Sequence, residues 1–404
     1  MNPNPIKDQN SKLYLNAIPS LNTLQRYFKF LKEQIFLAQS MPQWVKQQTK
    51  IIENMNTDPK RHHREQELLI SPSAIFSSLI ADLQRAHETI DMEYYIFAND
   101  RTGRLFADIL RRKARQGLRV RLIVDGYGSF ALSGAMRRAL QHDGVELQCH
   151  TLLSHSRYHR KMAIIDNRIA HVGGINIADR YVVGNTLGKW YDVQLRLVGE
   201  VVHAVSRLYD YDYMASEGLK CEVPMLYNGG GVQVVWSESR GRRAMYNLLN
   251  DVVCSAEHAI TFTTPYFLPP RSVMHHLART VARGVVVTLI VPERCDVWLL
   301  DQVMRRRLAE AVRLGVDVRI CRRAFLHAKL AIVDGERVVA GSANLDSRSL
   351  YHNREIMVAT DSRRVVDSAE SFVRDMLDRS TVPTKRDMRS FIPSIVSRCF
   401  EGLL

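Results

Sequence analysis

Two stretches of this chain repeat each other, and the repeat restricts the fold more than any other feature. An offset of 168 residues carries His159 onto His327, Lys161 onto Lys329 and Asp166 onto Asp334. The same offset carries Gly173 onto Gly341, Asn176 onto Asn344 and Arg180 onto Arg348. Ala163 and Ile164 recur as Ala331 and Ile332. Self-similarity at a fixed spacing reports a duplicated architecture. An α/β pattern precedes each copy. Residues 90–97 read as a strand, 104–116 as a helix ended by Gly117, and 119–125 as a second strand. The order returns at 260–267, 273–283 with Gly284, and 285–291. Strand–helix–strand units of this kind imply parallel pairing. Pro224 and Gly229-Gly230-Gly231 interrupt the pattern between the copies. The expected organisation is a first α/β lobe over 68–222 and a second over 223–380. A tail with a basic amphipathic helix precedes them (1–67), and an amphipathic segment follows (381–404).

Each copy carries definite chemistry. Histidine and lysine two apart on an extended strand project from one face. The apolar runs 162–165 and 330–333 suit a buried strand. Each lobe therefore sets one imidazole and one ammonium side by side. Imidazole serves as nucleophile or proton carrier near neutral pH, and ammonium holds a phosphate oxygen. Two such units facing each other place imidazoles on opposite sides of one phosphorus, with the lysines and Asn176 and Asn344 on its non-bridging oxygens. Such an imidazole needs its other ring nitrogen held by an acid. Asp192, after the first motif, and Glu355, after the second, are the candidates. Asp166 and Asp334 read as securing the loop after each strand, since aspartate favours turns.

The charge balance, 56 basic against 42 acidic side chains, favours acidic partners: nucleic acid, anionic headgroups or phosphorylated molecules. Six cysteines show no C-x-x-C spacing and no histidine clustering, so reduced, mostly buried thiols in a cytosolic chain are expected, with no metal and no cofactor. No run of about 18 apolar residues is present, so any membrane role is expected to be peripheral. Two segments suit such a role: a basic helix with Leu21, Leu24, Phe28, Leu31 and Ile35 on one face, and the C-terminal series from Phe391 to Leu404.

The sequences H-R-K-M-A-I-I-D with G-G-I-N, and H-A-K-L-A-I-V-D with G-S-A-N, resemble the paired signatures of the phospholipase D superfamily. Further segments resemble bacterial cardiolipin synthases: Y-Y-I-F-A-N-D at 94–100, V-D-G-Y-G-S at 124–129, T-P-Y-F-L-P at 264–269 and G-S-A-N-L-D-S-R-S at 341–349. The similarity runs from about residue 68 to about 380. It implies two similar α/β lobes, each a mixed sheet flanked by helices, in a pseudo-twofold arrangement with the site between them. It implies that His159, Lys161, Asp166, His327, Lys329 and Asp334 form the catalytic signature. It further implies a phosphatidyl-histidine intermediate and the joining of two phosphatidylglycerols into cardiolipin with release of glycerol. A phospholipase D-type hydrolase or a nuclease of the same superfamily is the alternative. The expected partners are phosphatidylglycerol and an anionic membrane surface, not nucleic acid. The expected location is the cytoplasmic face of a bacterial membrane.

Overall fold

The computed structural model describes residues 66–150, 156–219, 222–223, 226–238 and 243–391. The expected N-terminal amphipathic helix, residues 392–404 of the C-terminal amphipathic segment, Cys221 and Cys399 lie outside the described residues.

The first lobe runs β1 (Gln66–Leu69), α1 (Pro72–Arg85), β2 (Thr89–Tyr94), α2 (Arg101–Arg115), β3 (Arg119–Asp125), α3 (Gly134–His142), β4 (Glu146–His150), β5 (Lys161–Ile165) and β6 (Ile169–Gly173). It continues through α4 (Asp179–Val183), β7 (Lys189–Tyr191), β8 (Gln194–Val198) and α5 (Val201–Ser216). The second lobe runs β9 (Tyr227–Gly229), β10 (Val232–Trp236), α6 (Ala244–Ser255), β11 (Ala259–Thr263), β12 (Phe267–Leu268), α7 (Arg271–Ala282), β13 (Val286–Pro292), α8 (Trp298–Arg313) and β14 (Asp317–Cys321). There follow β15 (Ala324–Leu326), β16 (Leu330–Val333), β17 (Arg337–Gly341), β18 (Leu345–Asp346), α9 (Ser347–Tyr351), β19 (Ile356–Thr360), α10 (Arg363–Asp378) and β20 (Ser380–Thr381).

The duplication is written in the sheet orders. The first sheet is β1-β8-β6-β5-β2-β3-β4. The second is β9-β10-β19-β17-β16-β11-β13-β14-β20, the same path with an extra strand at each edge. The β2–β3 and β11–β13 pairs are parallel, as the strand–helix–strand units require. The motif strands β5 and β16 run antiparallel to β2 and β11. Each motif histidine therefore sits at the edge where β2 and β11 end. Gly117 and Gly284 close their helices at φ +93° and +90°, a region open to glycine.

One hydrophobic core draws from both lobes. It joins Leu68, Met162, Ile164 and Leu197 of the first sheet with Val234, Ile332, Val338 and Val358 of the second. Apolar faces of α5 (Val201, Val205, Leu208) and α10 (Val365, Phe372, Met376) complete it. Apolar burial contributes about 25 cal/mol per Å², so this shared core holds the lobes in fixed register. Of the described cysteines, Cys295 and Cys321 are buried, whereas Cys149 and Cys254 are exposed. The expectation of mostly buried thiols is thus half met: Cys149 lies on β4, the open edge of the first sheet, and Cys254 on the outer side of α6.

Candidate active site

The two histidines reach the site by the same device, crossed between lobes. Tyr158 pairs in parallel with Arg354, and β7 pairs in parallel with β15. The His159 amide donates to the Arg354 carbonyl at 3.0 Å, and the His327 amide to the Tyr191 carbonyl at 2.7 Å. Each pairing sets the next residue of one lobe beside the next residue of the other. His159 therefore meets Glu355, and His327 meets Asp192. The Nδ1 of His159 lies 2.8 and 3.0 Å from the two Glu355 carboxylate oxygens. The Nδ1 of His327 lies 2.6 Å from Asp192 Oδ2. Position along the chain does not say which acid meets which histidine; in the structure each acid binds the histidine of the other lobe.

The supports around each acid differ. Ser342 Oγ donates to Glu355 Oε2 at 2.5 Å, and Asn353 Nδ2 lies 3.3 Å from Oε1. The equivalent position beside Asp192 is Gly174, where a Cβ would lie only 2.5 Å from Asp192 Oδ1. The Val193 amide donates to that same oxygen at 2.9 Å. A longer acid with a serine and a shorter acid with a glycine thus solve one geometric problem twice.

The lysines are buried beside the imidazoles. Lys329 Nζ lies 2.9 Å from both ring nitrogens of His327 and donates to its carbonyl at 2.6 Å. Lys161 Nζ donates to the His159 carbonyl. Burial, with Lys329 adding repulsion, brings Lys161 down to about 7, and burial brings Lys329 down to about 8. Burial and Lys329 push His327 to about 4, against the pull of Asp192. Burial also lowers His159, with Glu355 opposing it. Burial alone would raise Asp192 and Glu355, yet their histidine partners hold both below the usual carboxylate range. The site thus combines imidazoles and ammonium groups that burial makes weaker bases, and a bound anion would raise their affinity for protons.

Aromatic walls differ as well. Tyr95 meets His159 edge-on at 4.9 Å between ring centres. His327 is enclosed by Trp190 at 5.0 Å, Phe325 at 5.9 Å and Tyr181 at 6.1 Å. Tyr266, just past the end of β11 in the second lobe, has its hydroxyl bound to Asp296.

Other expected site residues lie elsewhere or do other work. Asp166 and Asp334 sit at the far ends of β5 and β16, five residues past their lysines, roughly 17 Å away at about 3.4 Å per residue. Asp166 takes the left-handed backbone (φ +52°) and accepts from the amides of His87, Glu88 and Thr89. Asp334 does the same (φ +51°) with Glu257, His258 and Ala259. Both tie the motif hairpin to the start of the neighbouring strand. Asn176 accepts from the Ile96 amide and donates to Tyr181, so its side chain holds the loop after β2. Asn344 is buried with its Oδ1 unpartnered, beside Lys329 at a small cavity.

A buried ionic cluster behind the motif escaped the sequence. Arg160 points opposite to His159 and Lys161, as strand alternation demands. Its guanidinium reaches the Ser237 carbonyl at 2.7 Å, the Glu355 carbonyl at 3.2 Å and the Asp212 carboxylate. Arg354 also pairs with Asp212. Burial and Asp212 hold the adjacent Glu93 well above its usual range. The cluster fixes the backbone of Glu355 from behind. One signal was available: Asp212 continues the 201, 205, 208 spacing of the apolar face of α5, where a carboxylate needs a partner. Asp125 ends β3, and its carboxylate accepts from the Tyr127 and Gly128 amides of the following turn and from the Tyr158 amide, and so sets the approach to His159.

The family model described as "Cardiolipin synthase, PLD-like domain" matches residues 79–187 and 249–377. A probable cardiolipin synthase of Bacillus subtilis is 31% identical over 350 residues, spanning 81% of this chain and 70% of that one. A cardiolipin synthase of Geobacillus kaustophilus is 32% identical over 363 residues, spanning 83% and 72%. The solved structure of phosphatidylserine synthase from Haemophilus influenzae shares the fold, with TM-score 0.69 at 16% identity over 88% of this chain and 97% of that one. With two complete motif copies meeting at one crossed site, the chain belongs to the cardiolipin synthase family of phospholipase D-like phosphatidyltransferases.

Proposed function

We propose that this enzyme makes cardiolipin from two phosphatidylglycerols through a phosphatidyl-histidine intermediate, at the cytoplasmic face of a bacterial membrane. The observation that carries the reading is the pair of imidazoles, each with Nδ1 bound to a buried acid of the other lobe, so that Nε2 of His159 is left for chemistry and Nε2 of His327 faces Lys329. His159, with the less enclosed ring, attacks phosphorus. Its Nε2–P bond forms as the bond from phosphorus to the leaving glycerol oxygen breaks. His327, protonated once the phosphodiester is bound, gives its Nε2 proton to that oxygen. The hydroxyl of a second phosphatidylglycerol then surrenders its proton to His327 and attacks phosphorus, which releases His159. Lys161 and Lys329 balance the charge on the non-bridging oxygens. Asn344 adds an amide beside Lys329. Asn176, Asp166 and Asp334 act on the scaffold.

Supplying phosphatidylglycerol vesicles and analysing the lipid products by mass spectrometry tests this. Cardiolipin and free glycerol are expected, and both vanish in His159→Ala and in His327→Ala. Phosphatidic acid as the only lipid product would replace transfer by hydrolysis.

A further inference from the structure

We propose that the edge of the molecule around the site docks on an anionic phospholipid bilayer through one apolar prong from each lobe, Phe130 and Trp298. The proposal rests on the lipid-transfer reading for its purpose, not for its geometry. Phe130 follows β3 and Trp298 follows β13, each beyond the strand end that borders the motif histidines. The offset that relates the two motifs also relates these two residues. Phe130 is 80% exposed and Trp298 is 64% exposed. Val183, at the end of α4, is 77% exposed.

Contacts tie each prong to its half of the site. On the first side Tyr127, itself exposed, lies under the Arg157 guanidinium at 4.5 Å, and Asp125 links this loop to the segment entering His159. On the second side Asp296, two residues before Trp298, holds Tyr266 and adds to the field at His327 and Lys329. Val183 ends the short helix whose Tyr181 walls His327.

Aromatic and aliphatic side chains left this open mark a surface that meets something apolar. Basic side chains stand among them: Arg138 on α3, Arg180 on α4 and Arg294 before Trp298 are all exposed. Phenyl and indole rings rimmed by guanidinium groups suit the headgroup boundary of an anionic bilayer. The apolar cavity beside Lys329 measures about 50 Å³, room for a water or two and not for an acyl chain. Lipid presented from this edge would bring its phosphate to the histidines while its chains stay in the membrane.

Tryptophan fluorescence reads the docking directly. Trp190 and Trp236 are buried, and Trp44 lies outside the described residues, so Trp298→Phe identifies the signal. Vesicles of phosphatidylglycerol and phosphatidylcholine should shift the emission to the blue, and Trp298→Phe should lose that shift. Phe130→Ser and Trp298→Ser should each weaken vesicle co-sedimentation by about tenfold, as loss of one buried ring implies. Both variants should keep their melting temperature, and their turnover of a water-soluble short-chain phosphatidylglycerol should be unchanged. Unchanged co-sedimentation in both variants would overturn the proposal, as would a blue shift that survives Trp298→Phe. So would a Trp298 shielded from acrylamide without vesicles, which would mean that the chain's own termini or a second copy cover it. Prong-dependent vesicle binding without cardiolipin formation would refute the transfer reading and leave the docking surface standing.

Discussion

Glu355 lies 196 residues after His159 and in the other lobe, yet its carboxylate grips His159 Nδ1 at 2.8 Å. The acid is completely buried and is itself held by Ser342 and Asn353. Glu355→Gln keeps the shape and removes the charge that fixes the tautomer. We expect turnover to fall by about 10³–10⁴-fold, the scale seen when an orienting acid becomes an amide. Asp192→Asn should do the same through His327. A rapid-quench assay separates the two: with His159 as the proposed nucleophile, a phosphatidyl-histidine species should build up in Asp192→Asn but not in Glu355→Gln.

Gly174 and Ser342 occupy matching positions with opposite tolerance. Gly174→Ala drives a Cβ to within 2.5 Å of Asp192 Oδ1 and must displace it, so activity should fall at least about tenfold. Ser342→Ala brings no clash: it deletes the bond that Ser342 Oγ donates to Glu355 and the one it accepts from the Ile356 amide, and should cost about 1–3 kcal/mol in stability or catalysis combined. Steady-state kinetics and thermal melts on both variants check the contrast. Equal tolerance at the two positions would contradict it.

Burial lowers Lys161 to about 7 and Lys329 to about 8, from the ordinary lysine value of 10.5. The folded chain therefore binds fewer protons than the unfolded chain from about pH 7 to 10.5. Their burial destabilises the fold below that window, and the penalty is relieved as pH rises through it. An oxyanion in the site should restore the protons. Calorimetry of phosphate or tungstate binding, in buffers of differing ionisation enthalpy, should show net proton uptake at pH 9 and little from the lysines at pH 6. Uptake at pH 9 should shrink in Lys161→Met.

Asp166 and Asp334 each accept three backbone amide bonds far from the imidazoles. Asp166→Ala should lower stability by about 2–4 kcal/mol while folded enzyme at low temperature keeps most of its turnover. The amide bonds hold both carboxyls below the usual aspartate value, against a burial effect that raises them. Their contribution is present above that value and is lost as pH falls through the lowered one. Denaturant melts from pH 7 to pH 3 should show the wild type converging on Asp166→Ala.

The sequence carried the duplicated sheet, both imidazole–ammonium pairs and both acids, because short-range spacing records which side chains share a strand face. It did not carry the exchange of acids. Asp192 lies closer along the chain to His159 than to His327, and only the pairings Tyr158–Arg354 and β7–β15, which join distant segments, reverse that order. Asn176 misled for a related reason. Its repeat partner Asn344 faces a cavity, while Asn176 is consumed by the Ile96 amide and Tyr181. The Arg160–Asp212–Arg354 cluster was hidden because charged residues on a strand or helix ordinarily read as surface.

The exchanged acids make the chemistry a test of completed folding. Cut in thought between β8 and β10, the chain yields two halves, and each holds an imidazole whose acid belongs to the other. Neither half owns an imidazole held by its acid. A chain still being synthesised, or one whose lobes have come apart, would hold only unoriented imidazoles. The enzyme is armed against phosphodiesters only when its two lobes have closed on one another.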